Sequence, residues 1–208
     1  MSQSHIYTVA SGFGLRVVPV DAPYEFRLGP EPHDLDVERW DNGRRLIARI
    51  TPGKGGGYSS NVGEDARSLD DVADIMAGPA LDRWWLETSV YRVPLPKRWR
   101  AVAERAPQSA MFDLVGPDGS LIFIQTPRKV PDPSWLVAPG QQLHGHGRGE
   151  RSRWIEVRYH HEAQAWAQRH DVVELDGVTC VVTAQCPVTA LPSIAATRHA
   201  VVAGITRA

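Results

Sequence analysis

The most constraining feature of this 208-residue chain is the pair Asp176-Gly177, set between two β-rich runs near the C-terminus. Asp-Gly supplies the positive backbone angles of a tight hairpin, and the runs on either side, Trp166 to Leu175 and Val178 to Ala184, are long enough to be its strands. Upstream, Arg153 to His160 alternates, with Ile155, Val157 and Tyr159 at every second position and therefore on one face of a strand. A three-stranded antiparallel meander is expected. A helix is expected over Pro192 to Arg207, where Leu191, Ile194, Ala195, Arg198, Val201, Val202 and Ile205 fall mainly on one stripe. Laid on the meander, that stripe covers one sheet face.

The front of the chain carries a sparser pattern. Tyr7, Val9, Arg16, Val18, Ala22 and Pro23 recur 84 positions on as Tyr91, Val93, Arg100, Val102, Ala106 and Pro107. Leu46-Ile47 with Thr51-Pro52 recurs 75 positions on as Leu121-Ile122 with Thr126-Pro127, a change of offset that one insertion near Gly29 to Asp41 explains. Two readings stand side by side, chance matching and a diverged duplication, the latter giving two α+β units over 1–86 and 87–208. Ile6 to Val9 with Leu15 to Val20 reads as a hairpin, and Val90 to Val93 with Trp99 to Ala103 as its copy. Phe112 to Val115 and Leu121 to Gln125, joined through Pro117-Asp118-Gly119, read as another.

Ser68 suits a helix N-cap, Asp70 and Asp71 place negative charge in a first turn, and Leu69, Val72, Ala73 and Met76 keep helical spacing up to Gly78-Pro79. A helix is expected there, so that each unit ends in one. Gly53 to Asn61 and Val130 to Arg151 read as loops, from their glycines and prolines. The fold class is α+β, antiparallel sheet packed by helices, either as two units or packed as one.

Composition narrows the function. A net charge of −1 gives no global field for nucleic acid or an anionic membrane, so neither is the expected partner. No apolar run approaches the ~20 residues a membrane-spanning helix needs. Met1 to Gly14 lacks the features of a secretory signal, and a cytoplasmic location is expected. Cys180 and Cys186, six residues apart on one strand, would lie about 20 Å from each other, too far for a mutual disulfide.

The histidines are the best candidates for chemistry. His144, His146, His160 and His170 could ligate a divalent transition metal or act in acid–base steps. Their spacing matches no zinc pattern, and His161-Glu162 begins a His-Glu-x-x-His motif that Ala165 breaks. Solvated surface histidines are the plainer reading, with no cofactor. Gly53-Lys54-Gly55-Gly56-Gly57 has the lysine too early for a phosphate-binding loop. Lys97-Arg98-Trp99-Arg100 could clamp a single strand of nucleic acid or merely guard a sheet edge. No Gly-x-Ser-x-Gly elbow is present.

The order hairpin then helix over Trp166 to Pro187, with Thr183-Ala184-Gln185 ahead of the closing helix, resembles the ending of PsbP-like α/β/α sandwich proteins. That resemblance covers about a fifth of the chain. It implies an antiparallel sheet between helices and a binding or assembly role, and assigns no functional residue.

The leading expectation is a non-enzymatic protein-binding module, of the bacterial immunity (toxin-neutralising) or secretion-accessory kind. The 7 tryptophans motivate it, because tryptophan anchors interfaces as well as cores. Trp84, Trp85, Trp99 and Trp135 are the expected contact residues. The alternatives are a metal-dependent enzyme using the histidines and a structural, pseudo-symmetric assembly protein.

Overall fold

A computed structural model describes residues 7–9, 15–19, 24–28, 35–40, 44–52, 58–62, 72–77, 84–88, 90–103, 112–127 and 132–208. The chain forms two compact units, Met1–Leu114 with Ala208, and Val115–Arg207. Sheet is almost entirely antiparallel, as the alternating runs require, and the described residues hold one α-helix, at the C-terminal end. The α+β class is therefore observed. No helix among the described residues is long and apolar enough to cross a membrane.

In the first unit, β1 (Tyr7–Val9) pairs with β2 (Leu15–Pro19), the expected hairpin, and β2 pairs on its other side with β7 (Val72–Ala77). The helix expected to follow Ser68 is thus not formed over Val72 to Ala77. Val72, Ile75 and Met76 satisfy either periodicity over so short a run, and pairing with β2 decides for strand. Ser68 to Asp71 lie outside the described residues.

β3 (Tyr24–Leu28), β4 (Leu35–Trp40), β5 (Arg44–Pro52) and β6 (Tyr58–Val62) form a meander, with β10 (Arg100–Ala103) on the outer side of β3. Tyr58 to Asn61, expected as loop, is therefore strand, and Gly53 to Gly57 lie outside the described residues. Opposite each other on β4 and β5, Asp36 and Arg49 make a two-pronged pair, 2.7 and 2.9 Å, with Asp36 buried.

β8 (Trp85–Glu87) and β9 (Tyr91–Pro94) form a short hairpin. The Thr88 hydroxyl closes it, accepting from the N–H groups of Val90 and Tyr91. This corrects the expected pairing of Val90–Val93 with Trp99–Ala103. Pro94 has no N–H to extend a ladder, and the next free amide, Leu95, is already given to the Trp84 carbonyl at 2.9 Å. The chain then turns at Lys97-Arg98, where Arg98 takes a φ of 67°. β11 is Phe112–Val115, its last residue being the first of the second unit.

The second unit is a five-stranded antiparallel sheet in the order β13-β14-β15-β16-β12. These strands are β12 (Leu121–Gln125), β13 (Gln142–Arg148), β14 (Ser152–His161), β15 (Gln164–Leu175) and β16 (Val178–Pro187). The turn before β12 is closed by Gly116 N–H donating to the Ser120 carbonyl. The expected meander is present at β14 to β16, and Gly177 turns its second hairpin with a φ of 77°. The long segment read as a loop holds instead a 3-10 turn at Pro133–Leu136 and the whole of β13.

Register divides this sheet into two faces. Val173, Cys180, Val182, Ala184 and Cys186 are buried on the face that α1 (Leu191–Gly204) covers through Ile194, Val201 and Val202. Each buried valine or isoleucine among them stabilises the fold by about 1.5–3 kcal/mol. A polar lock fixes the helix on that face. Asp171, 2% exposed, accepts from Arg198 of the helix at 2.6 Å and from the Ser152 hydroxyl at 3.1 Å, while Arg151 caps the helix carbonyls of Ala203 and Ile205. Removing one partner of a buried pair costs about 3–5 kcal/mol. On the other face Leu136 packs against Val172 and Val181. The last strand, β17, is Thr206–Arg207.

The hairpin between β14 and β15 turns on Glu162 and Ala163, with φ of 49° and 64°. Both central angles of such a two-residue turn must be positive, and alanine is penalised there. Ala163→Gly is expected to raise stability by about 1 kcal/mol in urea unfolding, with the fold unchanged.

Candidate functional site

β13 is the strand that sets the surface of the second unit. Its sequence is Gln-Leu-His-Gly-His-Gly-Arg, and Trp154 of β14 lies across its two glycines, leaving no room for a side chain at Gly147. A Cβ added at Gly147 would meet the indole at 2.8 Å, and one at Gly145 would touch it at 3.5 Å. The opposite side of the Trp154 ring carries the Arg169 guanidinium, 3.8 Å from the ring centroid. Burial lowers the Arg169 pKa, and the Asp171 carboxylate, 3.6 Å away, opposes the shift. The indole is thus held between a glycine strand and a partly desolvated cation.

β13 pairs with β14 and lies at one end of the strand order, so among the described residues its outer edge has no partner strand. A bulge falls between Leu143 and Gly145. Leu143, His144, His146 and Arg148 are all exposed. The two exposed large hydrophobic side chains of the described residues are Trp135, at 76%, on the turn Pro133–Leu136, and Leu143, at 52%, on β13 itself. The turn carrying Trp135 packs on β14 and β15 through Leu136. Leu143, opposite Val157, points to that same face. Gln141 extends the contact by donating to Gln168, which donates to Gln185, each at 2.6 Å.

The expected contact tryptophans divide. Trp84 and Trp99, 1% and 6% exposed, are core residues with no surface to offer a partner. Burial of Trp99 also removes the ring that Lys97-Arg98-Trp99-Arg100 would stack on a base. Trp85 is half-buried under Arg92, 5.1 Å from its ring centroid. Trp135 alone of the four stands free.

The four histidines do not converge. His146, Ile155 and His170 sit in one row across β13, β14 and β15, so the two imidazoles start two strand spacings, about 10 Å, apart. His170 is buried, with Nδ1 2.9 Å from the Thr183 hydroxyl and Nε2 without a partner among the described residues. His144 and His160 do share a depression of about 490 Å³ at the start of β13. Among the described residues, no group of three or more His, Cys, Asp or Glu is placed to hold a metal ion. Both thiols are buried, and burial pushes each up to about 11, which removes the thiolate a nucleophile needs.

Sequence reasoning missed β13 as an edge strand, Arg158 beside the histidine depression, and the Trp154–Arg169 stack. The signal available was the period-two placement of Gly145, Gly147 and Gly149. In comparisons with known proteins, the chain matches no protein-family model and no curated protein sequence.

Burial pushes the His170 imidazole down to about 4, against a small opposing pull from Asp171. The unfolded chain then takes up this proton first. The stabilising contribution is complete above the ordinary imidazole value near 6.5 and is lost as pH falls from there toward 4. Between pH 7.5 and 4.5 the native chain is expected to lose on the order of 2–3 kcal/mol more stability than His170→Gln, read from paired urea titrations. Gly147→Ala is expected to lower stability by about 1–3 kcal/mol and to displace the Trp154 ring, seen as a change in near-ultraviolet circular dichroism.

Proposed function

We propose that this chain is a cytoplasmic, non-enzymatic protein-binding module that receives its partner on the open edge of β13. The observation that carries this reading is Trp135, 76% exposed on a turn that packs on β14 and β15. A tryptophan left in water supplies an anchor, and the amides and carbonyls on the outer side of β13 supply a template for strand addition. Leu143, 52% exposed on the same sheet face as the Trp135 turn, widens the apolar contact. His144, His146 and Arg148 guard the edge against indiscriminate pairing and favour an acidic partner segment.

Two further observations support binding over catalysis. The thiols are buried and held protonated, and His170 is held neutral by burial against Thr183. The metal-dependent alternative loses its ligand set, because His146 and His170 stand apart from the depression that His144 and His160 share. A toxin-neutralising or secretion-accessory role is the biological form of this reading, and it agrees with what the PsbP-like resemblance implies.

The test is photo-crosslinking in the native host, with p-benzoylphenylalanine at Trp135, at His146, and at Ala195 on the exposed side of α1 as control. One common adduct at the first two positions and none at the third is expected. No adduct at Trp135, or the same adduct at Ala195, overturns the assignment. With the partner in hand, Trp135→Ala is expected to weaken the complex about 30-fold, the effect of losing a hot spot worth ~2 kcal/mol, by calorimetric titration.

A further inference from the structure

We infer that the partner strand ends at β13 in a free C-terminal carboxylate, seated in the depression that His144, Arg158 and His160 line. This rests on the edge-binding reading above and specifies which part of a partner that edge takes.

Strand direction is the first argument. Every pairing in the second unit's sheet is antiparallel, and β13 runs from Gln142 to Arg148. A strand added antiparallel on the outer edge therefore runs from Arg148 toward Gln142. There the sheet stops, because the preceding residues turn away: Gln141 N–H bonds back to the Ala138 carbonyl, and Gly140 has a φ of 83°. An incoming chain meets its last paired position at Gln142, which lines the depression of about 490 Å³. Apart from Gly140 and His144, the remaining lining lies inward of β13, on β14, the start of β15 and Val188, so the terminal residue turns in over Gln142 to reach it.

The chemistry of that depression is the second argument. Gln142, His144, Arg158 and His160 bring an amide, two imidazoles and a guanidinium to one small volume. Arg158 gives Nε and Nη2 to Glu156, at 3.1 and 2.6 Å, and among the described residues Nη1 has no hydrogen-bond partner. The Glu156 carboxylate orients the guanidinium and offsets part of its charge. Val188 adds an apolar wall suited to a small aliphatic side chain. Donors on one side and an apolar wall on the other match the last residue of a peptide, one carboxylate and one side chain.

The test is amide-shift mapping on the full chain with a randomised octapeptide pool carrying free carboxylates, against the same pool amidated, and against N-acetylvaline alone. Saturable shifts at Gly140, Gln142 and His144 are expected with the free-acid pool, at least 10-fold weaker with the amidated pool. His144→Gln with His160→Gln, and separately Arg158→Gln, are expected to abolish that preference while leaving β13 shifts in place. Equal shifts from both pools overturn the terminal carboxylate while the edge reading stands. Binding of N-acetylvaline as tight as the free-acid pool overturns it in favour of a small-molecule acid site. No shift at these residues from any probe also overturns it, whereas failure of the edge reading itself shows as absent crosslinking at Trp135.

Discussion

The geometry of the second unit depends on where the Trp154 indole lies. It takes the space above Gly147 and Gly145, and the Arg169 guanidinium closes it from the other side. Any side chain at Gly147 would collide with the ring, so that position of the outermost strand is confined to glycine, whereas a Cβ at Gly145 would make only an ordinary contact with it. A glycine-rich strand pairs weakly and packs little, and here it is held by register with β14 and by the ring across it. The same constraint leaves the β13 backbone accessible on its free side.

The opposite end of the stack is continuous with the helix. Arg169 and Arg198 both address Asp171, which also takes the Ser152 hydroxyl. A buried carboxylate with three such partners is costly to disturb, so helix, central strands and the Trp154 stack are coupled through one group. This gives the edge a rigid support, which a binding strand requires if it is to discriminate among partners.

Much of this unit was legible in the sequence. Alternation at Ile155, Val157 and Tyr159 located β14, Asp176-Gly177 located the β15–β16 turn, and the stripe through Ile194, Val201 and Val202 located α1. Those signals are local, and the structure uses them locally. Gly145, Gly147 and Gly149 carry the ordinary signature of irregular chain and so mark β13 as loop, whereas Gly147 answers to a tryptophan on the neighbouring strand. Val72 to Ala77 was read as helix because six residues fit either period, and the deciding interaction, pairing with Leu15–Pro19, lies more than fifty residues away. The candidate site was legible only in part. Trp135 and His144 were named, but nothing local separates an exposed tryptophan from Trp84 or Trp99, which the core absorbs. Arg158 enters the site because of register with Gln142, a fact that no single strand records.

The account stands or falls on the outer edge of β13 being open in the free chain. Amide hydrogen exchange on the monomer measures this residue by residue. Over Leu143 to Arg148 the account predicts alternation, with amides facing β14 protected and outward amides exchanging at nearly the rate of unstructured chain, while those of β15 and β16 stay protected throughout. Uniform strong protection along β13, matching that of β16, would show the edge already covered and would contradict the account.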